Sequence, residues 1–283
     1  QDQQIQALYR RPSRVFPLQG PTAESTFWTR PSGRLERRYV ALAPRGVTLE
    51  YAADRMVTEL QRAVRRLLDD APRVCAEIGI DASLAPQILS LYGTDVVYGS
   101  TLRDLEATLR SLETQVPVDP LVSVPLTGRV PFEEVRRTLE RLEKPEADFA
   151  QRIHVVAASA MMSHGVDVDR LNTMVMLGLP LTTAEFIQTT ARIGRRWPGL
   201  VFLLMKIGRE RDAGIFRSFV SFVRHGDRFV EPIPITSRSR RVLAETLAGM
   251  VMARVLHLHE RTAGVPLTTV TKLRQWAAAT GWS

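Results

Sequence analysis

Ile153-His154-Val155-Val156-Ala157-Ala158, then the polar connection Ser159 to Leu171, then Asn172-Thr173-Met174-Val175-Met176-Leu177, decide how this chain folds. Each apolar run is about six residues long, nearly continuous rather than alternating, and rich in small or β-branched side chains. That is the signature of a strand buried on both faces. Leu200-Val201-Phe202-Leu203-Leu204-Met205 is another such run, and a helical segment from about Ala184 to Arg192 lies between it and the second.

The same alternation extends upstream. Tyr39-Val40-Ala41-Leu42-Ala43 stops at Pro44 and Gly46, and a helix follows from about Leu49 to Leu68, with Met56, Leu60, Val64 and Leu67 at three- and four-residue spacing. Ile88-Leu89-Ser90-Leu91-Tyr92 is expected as the next strand, and Ser100 starts a helix through Leu102, Leu105, Leu109 and Leu112. Leu121 to Leu126 precedes Gly128, and Pro131 opens a helix to about Leu142, where its missing N–H costs nothing. Strands alternating with helices predict an α/β fold, a parallel sheet flanked by helices.

The two ends differ from this centre. Residues 1–37 read as an irregular basic lead-in with Trp28 as its anchor. After Met205 come a charged loop, Gly208-Arg209-Glu210-Arg211-Asp212, expected to form local ion pairs, and a helix from about Ala213 to His225. Beyond Pro232 and Pro234, helices from about Ser239 to Glu260 and Thr268 to Ala279 form an α-helical extension, packed in part by Trp276 and Trp282. The expected division is 1–85, 86–207 and 208–283.

The 283 residues, 45% hydrophobic and 24% charged, suffice for a large core and exclude a collagenous or disordered chain. No run approaches the 18 to 20 apolar residues of a membrane span, and Gln1 to Tyr9 is polar rather than signal-like, so the expectation is a cytoplasmic protein with no membrane partner. The single cysteine, Cys75, excludes an intramolecular disulfide and reads as packing. His257-Leu258-His259 does not share one helix face, and no metal site is expected. A formal charge of +8 points to a polyanionic partner, nucleic acid first. The chain begins with Gln1 and not Met, which fits a fragment of a longer protein.

Chemistry concentrates in two places. Ser159 to Asp169 holds hydroxyls, Gly165 and the Asp167 carboxylate. Gln188-Thr189-Thr190-Ala191-Arg192-Ile193-Gly194-Arg195-Arg196 places Arg192 and Arg195 three apart, where they are expected to share a helix face, free of carboxylates, and to be bridged by an anion such as a triphosphate. By the rule for open parallel sheets, both are sought at the carboxyl ends of the strands.

Gln188, Arg192 and Arg195 match the Q-x-x-G-R-x-x-R motif of superfamily 2 helicases, with Ala191 for its glycine. Gly165 and Asp167 match the preceding glycine-x-aspartate motif, with Ser159 for its threonine. Leu126-Thr127-Gly128 with Arg136 resembles the strand–loop–helix that touches nucleic acid there, and Ile88 to Leu112 resembles the motif before it. The segment thus resembles the second RecA-like domain of these helicases, a P-loop NTPase fold. More narrowly, Ser163 to Asn172, Gly178, Pro180, Ala184 to Gln188 and Ala191 to Arg195 are similar to the helicases of the DISARM antiphage system.

The resemblance implies roles. Arg192 and Arg195 would be arginine fingers on ATP held by a first RecA-like domain, Gln188 would organise phosphates and water, and Asp167 with Gly165 would contact the nucleotide. Ser100, Thr127, Gly128, Ser159, Ser163 and His164 would contact a DNA backbone. No G-x-x-x-x-G-K-[ST] occurs in the chain, so ATP and Mg²⁺ would be held mainly by that other domain, and this chain alone is expected to be inactive. DISARM proteins are the implied further partners. The alternative is a non-catalytic nucleic-acid-binding or scaffold domain that kept the fold.

Overall fold

In the computed structural model, strands β1 (Arg37–Leu42), β2 (Asp95–Gly99), β3 (Ser123–Leu126), β4 (Val155–Ala158), β5 (Thr173–Leu177) and β6 (Gly199–Leu204) form one sheet. Their order is β1-β6-β5-β2-β4-β3, and every neighbouring pair is parallel. The structure describes residues 2–13, 33–159, 167–231, 239–264 and 266–281. The helices are α1 (Asp2–Tyr9), α2 (Leu49–Asp69), α3 (Ala71–Ile78), α4 (Ala85–Tyr92), α5 (Leu102–Gln115), α6 (Phe132–Glu143), α7 (Thr183–Thr190), α8 (Glu210–Arg217), α9 (Phe219–Arg224), α10 (Arg240–Ala263) and α11 (Val270–Ala279).

Residues 19–231 make one compact unit around the sheet. Successive strand residues point to opposite faces. Val97, Val155, Ala157, Val175 and Leu204 pack against α2 and α5, through Ala53, Val57, Leu105 and Leu112. Val96, Tyr98, Val156, Met174, Met176 and Leu203 pack on the other face against α6 and α7, through Val135, Leu142 and Phe186. The chain crosses the sheet one way from β1 to β3 with helices on the first face, then returns from β3 to β6 with helices on the second. Right-handed crossovers require that exchange of faces when direction reverses. Side-chain caps mark where the helices begin: Thr48, Thr101 and Thr182 accept from the backbone N–H of Tyr51, Asp104 and Glu185.

Several expectations are corrected here. Ile88 to Tyr92 is not a strand but the body of α4, whose first turn holds Pro86 and whose leucines favour helix; the strand is Asp95–Gly99, every residue of it buried. The helix expected over 213–225 begins earlier and breaks at Ser218 into α8 and α9. Asp212, expected in a charged loop, lies in the first turn of α8, is buried and accepts from the backbone N–H of Lys206 at 3.1 Å and of Leu179 at 3.4 Å, so this helix start ties the ends of β5 and β6 together. The lead-in is not irregular throughout, since α1 covers Asp2–Tyr9. Trp28 lies outside the described residues. Cys75 is buried beside Leu67 and Ala85.

The other unit comprises residues 1–18 and 232–283. In it α10 is capped by Ser239 at its start and by Gly264, at a left-handed φ of 67°, at its end. Leu247, Val251 and Val255 of α10 and Leu273 and Trp276 of α11 line a groove of about 530 Å³. The Trp276 ring meets His259 edge-on at 5.8 Å, so it packs this unit; Trp282 lies outside the described residues.

Candidate functional site

The predicted residues fall on opposite edges of the sheet. Ser100 follows β2, Ser159 follows β4 and Thr127 with Gly128 follows β3; these strands are consecutive, so the groups stand side by side along the carboxyl edge. Ser159 N donates to Leu126 O at 3.3 Å, and Val130 N to Thr127 O at 3.1 Å closes the turn that exposes Gly128. Thr127 Oγ1 accepts from Arg129 N at 3.4 Å. Ser100 Oγ is buried with no hydrogen-bond partner among the described residues.

Arg192 and Arg195 lie at the other edge. Helix α7 runs back antiparallel to β5, so the residues after it arrive beside the starts of β6 and β1. The expectation that both arginines share a helix face is corrected: α7 ends at Thr190, and they sit in a turn closed by Ala191 N to Ile187 O at 2.9 Å and Arg192 N to Thr189 O at 3.1 Å. Ile193 is fully buried and pins the turn to the core, while its carbonyl accepts from Arg37 Nη1 at 2.9 Å. Gly194 has a φ of 70°, and a Cβ there would lie 2.6 Å from Glu36 O and 2.7 Å from Gly199 N. Only glycine reverses the chain in that space. Gln188 is exposed on α7, one turn before Arg192.

The expectation of arginines free of carboxylates is also corrected. Arg195 pairs with Asp167, the residue expected to contact the nucleotide, and Arg196 pairs with Asp169 at 3.2 Å. Asp167 and Asp169 lie just before β5, at its amino end, and meet the arginine turn there. The first pair is accessible, its side chains 36% and 58% exposed, and an ion pair so open to water adds at most about 1 kcal/mol. Arg170 is buried, donates to Ser90 O at 3.2 Å and Leu142 O at 3.3 Å, and burial pushes its pKa down to about 10. A cleft of about 500 Å³ is lined by Ser90, Glu143, Asp167, Asp169, Arg170 and Arg195.

Ser163, His164 and Gly165 lie outside the described residues. Sequence reasoning passed over Asp169, Arg170 and Arg196; the signal available was the alternation Asp167-Val168-Asp169-Arg170, with two acids flanking a buried valine.

The parallel sheet carries an arginine turn on one edge and hydroxyl loops on the other, and residues 89–196 match the helicase conserved C-terminal domain. By that match the segment is similar to the C-terminal domain of helicases. Among individual relatives, the chain is 29% identical over 259 residues to the DISARM protein DrmA of Bacillus paralicheniformis, which covers 84% of this chain. The chain spans about a fifth of that relative's length, 22%. It shares its fold with the DUF1998 helicase MrfA, solved bound to DNA and AMPPNP, at a TM-score of 0.51 and 17% identity over 75% of this chain and 26% of that one. The same helicase bound to DNA gives a TM-score of 0.50 at 18% identity, with the same coverage of both chains.

Proposed function

We propose that this chain is the C-terminal motor half of an ATP-dependent superfamily 2 DNA helicase or translocase, acting in the cytoplasm in antiphage defence beside DISARM proteins. The observation that carries the reading is the two-ended connection after β4: Ser159 stands on the edge with the hydroxyl loops, and Asp167 on the edge with the arginine turn.

The cleft beside Arg195 does not fit a triphosphate by itself. Glu143, Asp167 and Asp169 outnumber Arg170 and Arg195 on its walls. The arrangement suits a domain that lends arginines to a nucleotide and Mg²⁺ held elsewhere. In phosphoryl transfer, an arginine so lent neutralises charge on the transferring group and raises the rate by roughly 10³ to 10⁵. Arg195 and Arg192 would do this, with Asp167 giving up its partner as the phosphate arrives, and Gln188 would meet the phosphates. On the other edge, Ser100, Thr127, Gly128 and Ser159 would hold a DNA backbone through hydroxyls and amides, a mode that carries no sequence information; by the resemblance Ser163 and His164 would also contact that backbone.

The test uses the full-length protein that carries this domain. ATP hydrolysis is expected to depend on single-stranded DNA, and Arg195→Ala is expected to lower turnover about 10³-fold or more while strand affinity stays within about twofold. Normal hydrolysis with lost DNA affinity would overturn the assignment of Arg195. A second reading, a non-catalytic nucleic-acid-binding or scaffold domain, is favoured by one feature: Arg195 pairs with Asp167 of its own chain. That reading predicts strand binding without any DNA-stimulated hydrolysis in the full-length protein.

A further inference from the structure

The apolar stripe of α6 continues past the sheet. Phe132, Val135, Leu139 and Leu142 follow one another at spacings of three, four and three, the spacing of one helix face. Val135 and Leu142 are buried, and Leu139 packs against the same core, yet Phe132 is 78% exposed. The helix begins beyond the carboxyl end of β3, so its first turn stands clear of the strands.

The turn that presents the ring is fixed. Val130 N closes it onto Thr127 O at 3.1 Å, Pro131 sets a φ of −57°, and Glu134 N and Val135 N both donate to Pro131 O at 3.0 Å. Arg129, its side chain 68% exposed, and the open Gly128 lie on the same turn. Around the ring, Arg129, Glu133, Glu134 and Arg136 are all exposed and charged, which is poor ground for an apolar protein interface. A lone ring set among polar groups suits a flat partner with a charged backbone.

We infer that Phe132 is a base-stacking residue for a single strand whose phosphates run along the Thr127–Gly128 loop; this rests on the strand-binding reading of the carboxyl edge. Every base offers a π-face, so the contact adds affinity without selecting sequence. Arg129 exchanges Glu106 for phosphate as the strand seats, since that pair is exposed.

The experiment titrates the chain into a DNA single strand carrying 2-aminopurine, reading base fluorescence and Kd at several salt concentrations. The parent chain is expected to quench the probe. Phe132→Ala is expected to lose the quench and weaken binding about tenfold, with an unchanged salt slope and melting temperature, while Phe132→Trp retains both quench and affinity. Binding and quench unaltered in Phe132→Ala overturn the stacking role alone. A shallower salt slope in Phe132→Ala also overturns it, by assigning the loss to phosphate contacts. Absence of strand binding by the parent chain overturns the reading of the whole edge, and this inference with it.

Discussion

Asp95 opens β2 in a fully enclosed position, where Gln61 Nε2 donates to its Oδ2 at 2.9 Å. Asp95 Oδ1 and Gln61 Oε1 are both buried acceptors with no donor among the described residues. A proton on the carboxyl removes its charge from this enclosed site, and burial pushes the Asp95 pKa up to about 7 although the Gln61 bond pulls it down. In the unfolded chain the same group ionises near 4. Between those values the folded state holds the proton and the unfolded state does not, so this group's stabilisation is complete below pH 4, falls as pH rises toward 7, and changes no further above that. The total is on the order of a few kcal/mol. The buried His154, whose pKa burial lowers, adds a pH dependence of its own. The diagnostic measurement is therefore a difference: denaturant unfolding of the parent chain and Asp95→Asn from pH 4 to 8, with the decline between pH 4 and 7 expected to flatten in the variant.

At the scale of elements, the six-residue turn from Ala191 to Arg196 is fixed by a glycine between two backbones. Gly194→Ala would place a methyl against Glu36 O and Gly199 N at a left-handed φ, with an expected loss of roughly 2–4 kcal/mol in denaturant unfolding, combining backbone strain with overpacking. Much at this scale was legible in the sequence. The runs at 153–158, 172–177 and 200–205 gave β4, β5 and β6, because strands covered on both faces leave little doubt about where apolar residues end. Ile88 to Tyr92 misled because five residues of apolar texture suit a buried strand and a short helix equally, and Asp95-Val96-Val97-Tyr98-Gly99 begins with an acid and ends with glycine. Helices α1 and α3, eight residues each, were too short to show a period. At the candidate site, residue types and order were readable, but their placement was not. The Arg195–Asp167 pair joins positions far apart in the chain, and the edge it occupies depends on α7 returning antiparallel to β5.

At the scale of the molecule, the family match begins at residue 89, yet the sheet is incomplete without β1. This strand covers β6, and it and the residue before it hold the arginine turn: Arg37 bonds Ile193, Glu36 O accepts from Gly199 N at 2.8 Å, and Tyr39 donates to Thr190 Oγ1 at 3.2 Å. A chain trimmed of residues 1–43 is expected to melt lower, to be cleaved by protease near Arg195, and to self-associate through the bared edge of β6, as sizing by light scattering would show. Retained melting temperature and monomer mass would refute that. The pairing of β1 with β6 also sets a timetable for synthesis. Its two strands are separated by some 160 residues, so at ribosomal speeds of about 5–20 residues per second the first waits roughly ten to thirty seconds for its mate. Through that interval an early-made ribbon with free hydrogen-bonding groups must be kept from pairing with anything else, which makes the nascent chain a natural client for holding chaperones.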